Sequence, residues 1–498
     1  MTSRTALLAA TTAALAFAAT HAAAQVEIQW WHAMTGVNND VIEKLAKDFN
    51  DSQKDYKVVP SYKGSYPDTM NAGIAAFRAG NAPHIMQVFE VGTATMMAAK
   101  GAIKPVQEMM REAGEKFDPQ SYLPAITGYY STAKGEMLSF PFNSSSAIMW
   151  YNKDAFRKAG LNADAPPKTW PELFEAAKKL RASGHPTCGF ATAWVTWLNI
   201  EQFSAWHNVP LGTKSNGMDG FDTEFKFNSP LHVRHLQNLV ELQKDKTFDY
   251  AGRTNTGEGR FTSGECPIML TSSAFYGNVK ANAKFEFGTG MMPYYPDPAD
   301  ERVVAAASRL EGQAAGIVAG IMASLNSGAA IDPVAMASKV GEINGLRSAA
   351  AEVRKLQSVP QNSIIGGASL WVMGGKKADE YKGIARFFTF LSDTDRQRWL
   401  HEVSGYLPIT KAAYAGTKGS GFYEQNPGRE TPLLQLTLKA PTENSAGIRF
   451  GNLVQIRDIW AEEIEAALSG QKSAQKALDD AVARGNQSLR QFERAVSR

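Results

Sequence analysis

Residues 26–50 read VEIQWWHAMTGVNNDVIEKLAKDFN and combine two hydrophobic periodicities. Val26, Ile28 and Trp30 alternate with polar residues, which predicts a β-strand. From Val41 onward the apolar residues recur every four positions, which predicts an α-helix on the strand's carboxyl side. This segment is therefore predicted to form a strand followed by a helix.

The same alternation continues along the chain. Residues 56–62 favour a second strand, and a second helix is predicted around Met70 and Ile74, before Gly80. The apolar run at 85–89 (IMQVF) is typical of a buried parallel strand. Strands that alternate with helices indicate an α/β fold. Ligands in such folds gather beyond the carboxyl ends of the strands, so Glu90 is expected at a cleft.

The composition excludes several classes of protein. The chain has 498 residues, of which 44% are hydrophobic and 20% are charged, so it is long enough for two or three globular domains. Its formal net charge is only +3, which argues against nucleic acid as the main partner. Beyond the N-terminus no apolar run reaches the roughly 20 residues that span a bilayer. An integral membrane protein and a disordered chain are both disfavoured.

The first 24 residues have the pattern of a secretory signal peptide. Arg4 gives a positive start, residues 6–19 are almost wholly apolar, and Ala22 to Ala24 offer small residues for cleavage before Gln25. An Ala-rich N-terminal helix is the alternative. The pattern predicts a soluble protein that is exported to the periplasm.

Two pairs of potentially reactive side chains stand out. Cys188 and Cys266 could form a disulfide in an oxidising compartment or remain a buried pair of thiols, and their spacing does not decide between the two. His232 and His235 lie three residues apart in a helical stretch. That spacing could place two metal ligands on one face, but a solvated histidine pair is the favoured interpretation.

One segment differs in composition from the rest of the chain. Residues 298–359 are rich in Ala, Gly and Ser and contain no aromatic residue. Two parts of it, residues 304–325 and 333–356, have helical patterns. We interpret the segment as an inserted helical hairpin or as a poorly ordered excursion from one domain.

The sequence shows none of the common catalytic motifs. The sequence contains no G-x-x-x-x-G-K-[ST] phosphate loop, no G-x-S-x-G nucleophile elbow and no H-E-x-x-H zinc motif. We therefore expect no enzyme activity, no catalytic residue, no metal site and no cofactor.

Recognition residues are present instead. Trp194 and Trp197 are followed by Phe203 and Trp206, and such aromatic faces either pack in a core or cover the C–H surface of a polyol. Three further segments could present hydroxyl or backbone N–H groups to a ligand, although turns and caps explain such segments as well. They are 142–146 (FNSSS), 271–273 (TSS) and 364–369 (IIGGAS).

Several long, ordered blocks resemble the extracellular solute-binding proteins of ABC importers, and in particular the members that bind sn-glycerol 3-phosphate. The resemblance covers the mature chain except the segment 298–359. The blocks are 62–66 (YKGSY), 73–83 (GIAAFRAGNAP), 88–97 (VFEVGTATMM), 142–145 (FNSS), 151–161 (YNKDAFRKAGL), 166–170 (PPKTW), 364–373 (IIGGASLWVM), 405–414 (GYLPITKAAY) and 451–457 (GNLVQIR).

This resemblance implies a fold and a set of partners. The expected fold is a two-lobe periplasmic binding protein of type II, with a hinge and a cleft between the lobes that closes on the ligand. The expected partners are sn-glycerol 3-phosphate or a glycerophosphodiester, and the membrane subunits of the importer, with the receptor itself a monomer. The expected bounds are 25–141 with 285–410 for the N-lobe and 142–284 with 411–498 for the C-lobe.

The resemblance also implies which residues contact the ligand. Arg457 would bind the phosphate through two hydrogen bonds, Glu90 would accept from the glycerol hydroxyls, and Trp194 would cover the glycerol carbons. The other residues would donate from hydroxyl groups or, for the glycine, from a backbone N–H. They are Tyr66, Ser145, Ser272, Gly367 and Tyr406.

Two alternative functions remain open from the sequence. A receptor for an uncharged sugar or polyol would use the aromatic residues equally well, whereas Arg457 and a turn at Gly367 favour an anion. A secreted phosphodiesterase would need metal ligands or a nucleophile with its base, and no such motif is visible.

Overall fold

The computed structural model contains two β-sheets, each flanked by helices. The predicted signal peptide, residues 1–24, lies outside the described part of the chain. The described residues are 25–99, 101–132, 134–185, 187–296, 298–327, 332–354 and 360–497.

The first sheet consists of β1 Val26–His32, β2 Tyr56–Tyr62, β3 Ile85–Phe89, β4 Phe140–Ser145 and β9 Gly366–Val372, in the order β2-β1-β3-β9-β4. β1 pairs in parallel with β2 and β3, whereas β9 runs antiparallel to β3 and β4. The strands predicted at residues 26–30, 56–62 and 85–89 are confirmed as β1, β2 and β3.

The second sheet consists of β5 Ala147–Asn152, β6 Ala191–Thr192, β7 Ile268–Ser272 and β8 Phe287–Gly290, in the order β6-β7-β5-β8. Its central strand β5 begins at Ala147, so Ser146 alone separates it from β4 of the first sheet. The chain therefore passes directly from one sheet to the other at Ser146.

The expected lobe bounds are wrong for two strands. The bound at 141/142 cuts through β4, which stays in the first sheet to Ser145 because it pairs with β9. The bound at 285 assigns β8 to the first lobe, but β8 pairs with β5 in the second sheet. The rest of the division remains a prediction.

The helices cover the faces of both sheets, and the predicted helices after β1 and β2 are confirmed. The main helices are Val37–Ser52, Tyr66–Arg78, Thr93–Ala98, Val106–Glu112, Pro124–Tyr130, Lys153–Lys158, Trp170–Ala182, Phe203–Trp206, Pro230–Lys244, Gly259–Thr262, Tyr276–Asn282, Pro298–Asn326, Pro333–Arg354, Ala378–Leu391, Thr394–Ser404, Lys411–Gly419, Phe422–Gln425, Thr431–Leu436, Leu453–Leu468 and Ala474–Val496.

The Ala-rich segment forms a helical hairpin. Its two long helices, Pro298–Asn326 and Pro333–Arg354, pack against each other and expose most of their described side chains. The two predicted helices are thus confirmed up to residue 354, while 355–359 lie outside the described residues. Across the described residues, no helix has the length and apolar character needed to cross a bilayer.

The two flagged side-chain pairs are both buried. Cys188 and Cys266 form a disulfide. The expectation of a solvated histidine pair is wrong, because His232 and His235 are both buried. His232 bonds to Ser204 and Ser229, and burial lowers its pKa to about 3.

Candidate functional site

A cavity of about 380 Å³ lies between the two sheets. Its wall contains side chains from distant parts of the sequence, as a cleft between two lobes requires. All the residues that the sequence predicts for the site line this one cavity. They are Tyr66, Glu90, Ser145, Trp194, Ser272, Gly367, Tyr406 and Arg457.

Strand ends and helix starts position these residues. Glu90 follows β3 directly, as the apolar run predicts, and Ser272 ends β7. Tyr66 begins a helix whose capping box, formed by Ser65 and Asp68, fixes the first turn. Local sequence thus sets the backbone positions of these three residues.

Arg457 forms a buried ion cluster with two carboxylates. Its Nε donates to Glu201 Oε1 at 2.6 Å, and its Nη2 donates to Glu201 Oε2 at 2.6 Å and to Glu90 Oε1 at 2.8 Å. The side chain of Arg457 is 11% exposed, whereas Glu201 is fully buried. Burial by itself would lower the pKa of Arg457, but Glu201 and Glu90 raise it above its ordinary value.

The two-bond contact between Arg457 and a phosphate stays a prediction, and in this structure a carboxylate bonds to the edge formed by Nε and Nη2. Glu201 already occupies that edge in the geometry that a phosphate would need. The cluster carries one positive and two negative charges when Glu90 and Glu201 are ionised. Burial also raises the pKa of Glu90, although the guanidinium acts in the opposite direction.

Hydroxyl and backbone groups meet where the chain crosses between the sheets. Ser145 pairs with Gly366 across the β4–β9 ladder, and Ser272 pairs with Ala147 across the β5–β7 ladder. Because only Ser146 separates the two strands, donors from both sheets converge at this crossing.

Gly367 lies inside strand β9, so the expected turn at this position is wrong. Its φ is +92°, and a Cβ built on it would lie 1.9 Å from the backbone oxygen of Asn143. The two strands approach so closely beside an irregularity between Pro141 and Asn143 that only glycine fits.

Two phenols, the buried Tyr406 and the partly buried Tyr66, complete one wall. Tyr66 stacks on Phe89 with ring centroids 5.2 Å apart, and its hydroxyl accepts a hydrogen bond from Asn143 at 2.9 Å. Burial raises the pKa of Tyr406 to about 12 and that of Tyr66 well above its ordinary value. Both hydroxyls therefore stay protonated and can donate to a ligand.

The four aromatic residues of 194–206 divide between cavity and core. Trp194 and Trp197 line the cavity, whereas Phe203 and Trp206 are fully buried. Trp194 has a φ of +53°, which is costly for a bulky residue and is typical of functional sites. Its half-buried indole thus has a fixed place in the cavity wall.

Sequence reasoning missed two acidic residues of the site. Glu201 lies in the π-helix Trp197–Gln202, a rare element that often marks functional positions. A single carboxylate in the apolar run WLNIEQF was the available signal. Glu258 also lines the cavity and is buried, and no pattern in the sequence around it indicates a site.

The described part of the chain contains no cluster of metal-ligating side chains. Nowhere in it do three or more His, Cys, Asp or Glu side chains come together in a way that could hold a metal ion. The side chains that line the cavity can offer a ligand hydrogen bonds, ion pairing and aromatic contact.

Comparison with known sequences gives long matches. Residues 44–431 match the family model for bacterial extracellular solute-binding proteins. The chain is 51% identical to the sn-glycerol-3-phosphate-binding periplasmic protein UgpB of Rhizobium meliloti, over 96% of this chain and 97% of that protein. It is 43% identical to UgpB of Escherichia coli K12, over 96% of this chain and 95% of that protein.

Comparison with solved structures gives the same fold at low sequence identity. UgpB from Mycobacterium tuberculosis in complex with glycerophosphocholine has a TM-score of 0.66 at 16% identity, covering 93% of this chain and 98% of that one. Maltose-bound MalE3 of T. maritima has a TM-score of 0.67 at 17% identity, covering 93% and 99%. The expected two-lobe binding-protein fold is confirmed.

Proposed function

Because the chain belongs to the family of bacterial extracellular solute-binding proteins, we propose that it is the periplasmic receptor of an ABC importer for sn-glycerol 3-phosphate or glycerophosphodiesters. The receptor captures its ligand in the cavity between the sheets and delivers it to the membrane subunits. It does this by binding alone, without a catalytic step.

One observation carries the proposal. Residues that the resemblance assigns to the ligand come from eight separate places in the chain, and every one of them lines the same cavity. Positions as far apart in the chain as Tyr66 and Arg457 would not be expected to line one cavity by chance. The names of the relatives that match over nearly the full length agree with the same class of ligand.

The ion cluster suits the glycerol end of the ligand. Arg457 fixes Oε1 of Glu90, which leaves Oε2 as an acceptor for a glycerol hydroxyl. The cluster's surplus of negative charge disfavours a phosphate in contact with it. We therefore assign the two ends of the ligand to different parts of the cavity.

The phosphate end suits the neutral donors at the crossing between the sheets. Ser145 and Ser272 carry hydroxyls there, Gly367 places bare backbone beside them, and Tyr406 adds a protonated phenol. Neutral donors can replace the water around an anion when their geometry is fixed in advance. Strands β4, β5, β7 and β9 provide that rigidity.

Closure of the two lobes follows from the same arrangement. Glu90 belongs to the first sheet's side, whereas Trp194 and Glu201 follow β6 of the second sheet. A ligand that contacts both sides favours the closed state by its differential affinity for it. Closure is then the signal that the membrane subunits receive.

Titration calorimetry tests the proposed function. Glycerol 3-phosphate, glycerophosphocholine and maltose are titrated into the mature protein at equal concentrations. We expect micromolar or tighter binding, about −8 kcal/mol or better, for at least one of the two phosphate ligands. Maltose should give no binding heat, and heat with maltose alone would assign the cavity to an uncharged sugar.

The enzymatic alternative has its own readout. Glycerophosphocholine is incubated with the protein, and the release of choline or of glycerol 3-phosphate is followed. We expect none, and release that survives purification to homogeneity would identify a phosphodiesterase.

A further inference from the structure

Glu258 is the exception among the buried acids of the described residues. Glu90 and Glu201 contact Arg457, and Glu463 contacts Lys472 and Arg484. Glu258, which is also buried, forms no ion pair within the part of the chain that the structure describes. A buried carboxylate without a cation is strongly disfavoured, so its protonation state needs a physical explanation.

The surroundings of Glu258 leave one oxygen for a ligand. The Thr271 hydroxyl on β7 donates to Glu258 Oε1 at 2.6 Å. Oε2 makes no hydrogen bond to the described residues, and Glu258 lies in the cavity wall close enough to Tyr406 to influence its phenol.

The charged groups near Glu258 do not neutralise it. On its own segment, Arg253 pairs with Glu465, and Arg260 pairs with Asp249 and Glu265. Across the cavity, the other charged or titratable side chains are those of Tyr62, Tyr66, Asp68, Glu90, Tyr406 and Arg457.

Arg457 is the only Lys or Arg among the described residues that line the cavity, and Glu201 and Glu90 compensate its charge. An anion in this cavity thus needs further donors. A protonated carboxyl group supplies one, whereas an ionised one would repel the anion. Desolvation is the largest influence on Glu258 and raises its pKa to about 7, which keeps the proton available near neutral pH.

We propose that Glu258 is a ligand-binding residue that keeps its proton and donates it in a hydrogen bond to the anionic group of the bound solute. Binding at alkaline pH then includes the uptake of one proton from water, which stays on the Glu258 carboxyl. The inference rests on the proposed function and adds a residue that the resemblance does not assign.

Glycerophosphocholine is the appropriate probe for this inference, because its phosphodiester does not titrate near neutral pH, whereas the second pKa of a phosphate monoester is about 6. Its affinity is measured by calorimetry from about pH 6 to about pH 9. We expect a constant affinity at the acidic end and a fall that approaches about tenfold per pH unit on the alkaline side.

Two substitutions and one control assign the effect to Glu258. Glu258→Gln keeps a donor that cannot ionise, so its affinity should not vary with pH. Thr271→Val removes the bond that lowers the pKa of Glu258 and should move the fall to higher pH, which gives a second test if E258Q does not fold. The exposed control Glu136→Gln should behave as the wild type.

Proton uptake gives an independent readout. At about pH 8, the heats of binding in HEPES and in Tris should differ by the difference in buffer ionisation enthalpy for up to one proton per ligand. An affinity that rises with pH would overturn the inference, because an ionised Glu258 would then hold the ligand's ammonium group. A flat wild-type profile would also overturn it, whereas no binding at any pH would overturn the proposed function instead.

Discussion

Replacement of Arg457 by alanine is expected to weaken the binding of both phosphate ligands by at least about 30-fold. The substitution removes the group that fixes Glu90 and leaves Glu201 buried without its cation. Truncating one partner of a buried, hydrogen-bonded charge pair costs about 2–5 kcal/mol, which is at least about a 30-fold loss of affinity. Calorimetry with glycerol 3-phosphate and glycerophosphocholine measures it.

The same substitution should also lower the free energy of unfolding by about 3–5 kcal/mol, because an unpaired charge stays in the core. Arg457→Lys keeps the charge but cannot make the two parallel bonds to Glu201, and it should fold with the same order of binding loss. Arg484→Ala removes another paired arginine, on the C-terminal helix, and should leave binding unchanged. Wild-type affinity in R457K would remove Arg457 from the site.

Replacement of Gly367 by alanine is expected to disturb both the fold and the site. The new Cβ would lie 1.9 Å from the Asn143 backbone oxygen, so strands β4 and β9 must move apart. A left-handed backbone conformation at a non-glycine residue destabilises the folded state by a further 1–2 kcal/mol, about the cost of one such residue. We expect a loss of more than about 2 kcal/mol in urea unfolding, and a loss of binding of at least about tenfold because Ser145 moves with β4.

Gly375→Ala is the matched control for this prediction. Gly375 also has a positive φ, +75°, but a Cβ there would meet nothing within 4 Å. This variant has the same kind of backbone strain without the collision. It should lower the free energy of unfolding by about 1 kcal/mol and leave ligand binding unchanged. Equal behaviour of G367A and G375A would show that the close approach of the strands has no role.

Much of the fold could be predicted because its signals are local. Alternation in β1, the four-residue repeat after it and the apolar run of β3 each depend on a few neighbouring residues. Glu90 was placed correctly for the same reason, since the end of a buried parallel strand opens onto a cleft. The other site residues were predicted from the family resemblance, and the structure places all of them around one cavity.

The features that could not be predicted from the sequence depend on contacts between segments that are far apart in the chain. Glu201 is 256 residues from Arg457 in sequence, and no local pattern reveals that the two are paired. Gly366-Gly367 has the composition of a turn, but pairing with β4 makes it a strand. His232 and His235 look polar in sequence, yet hydrogen bonds to Ser204, Ser229 and Asn199 allow them to be buried.

The crystal structure of the complex with glycerophosphocholine tests the binding account most directly. We expect the ligand between the two sheets, with a glycerol hydroxyl donating to Glu90 and phosphate oxygens within about 3 Å of donors at Ser145, Ser272 or Gly367. Arg457 should still be held by Glu201. A ligand outside the cavity, or a phosphate bound to Nε and Nη2 of Arg457 in place of Glu201, would contradict the account.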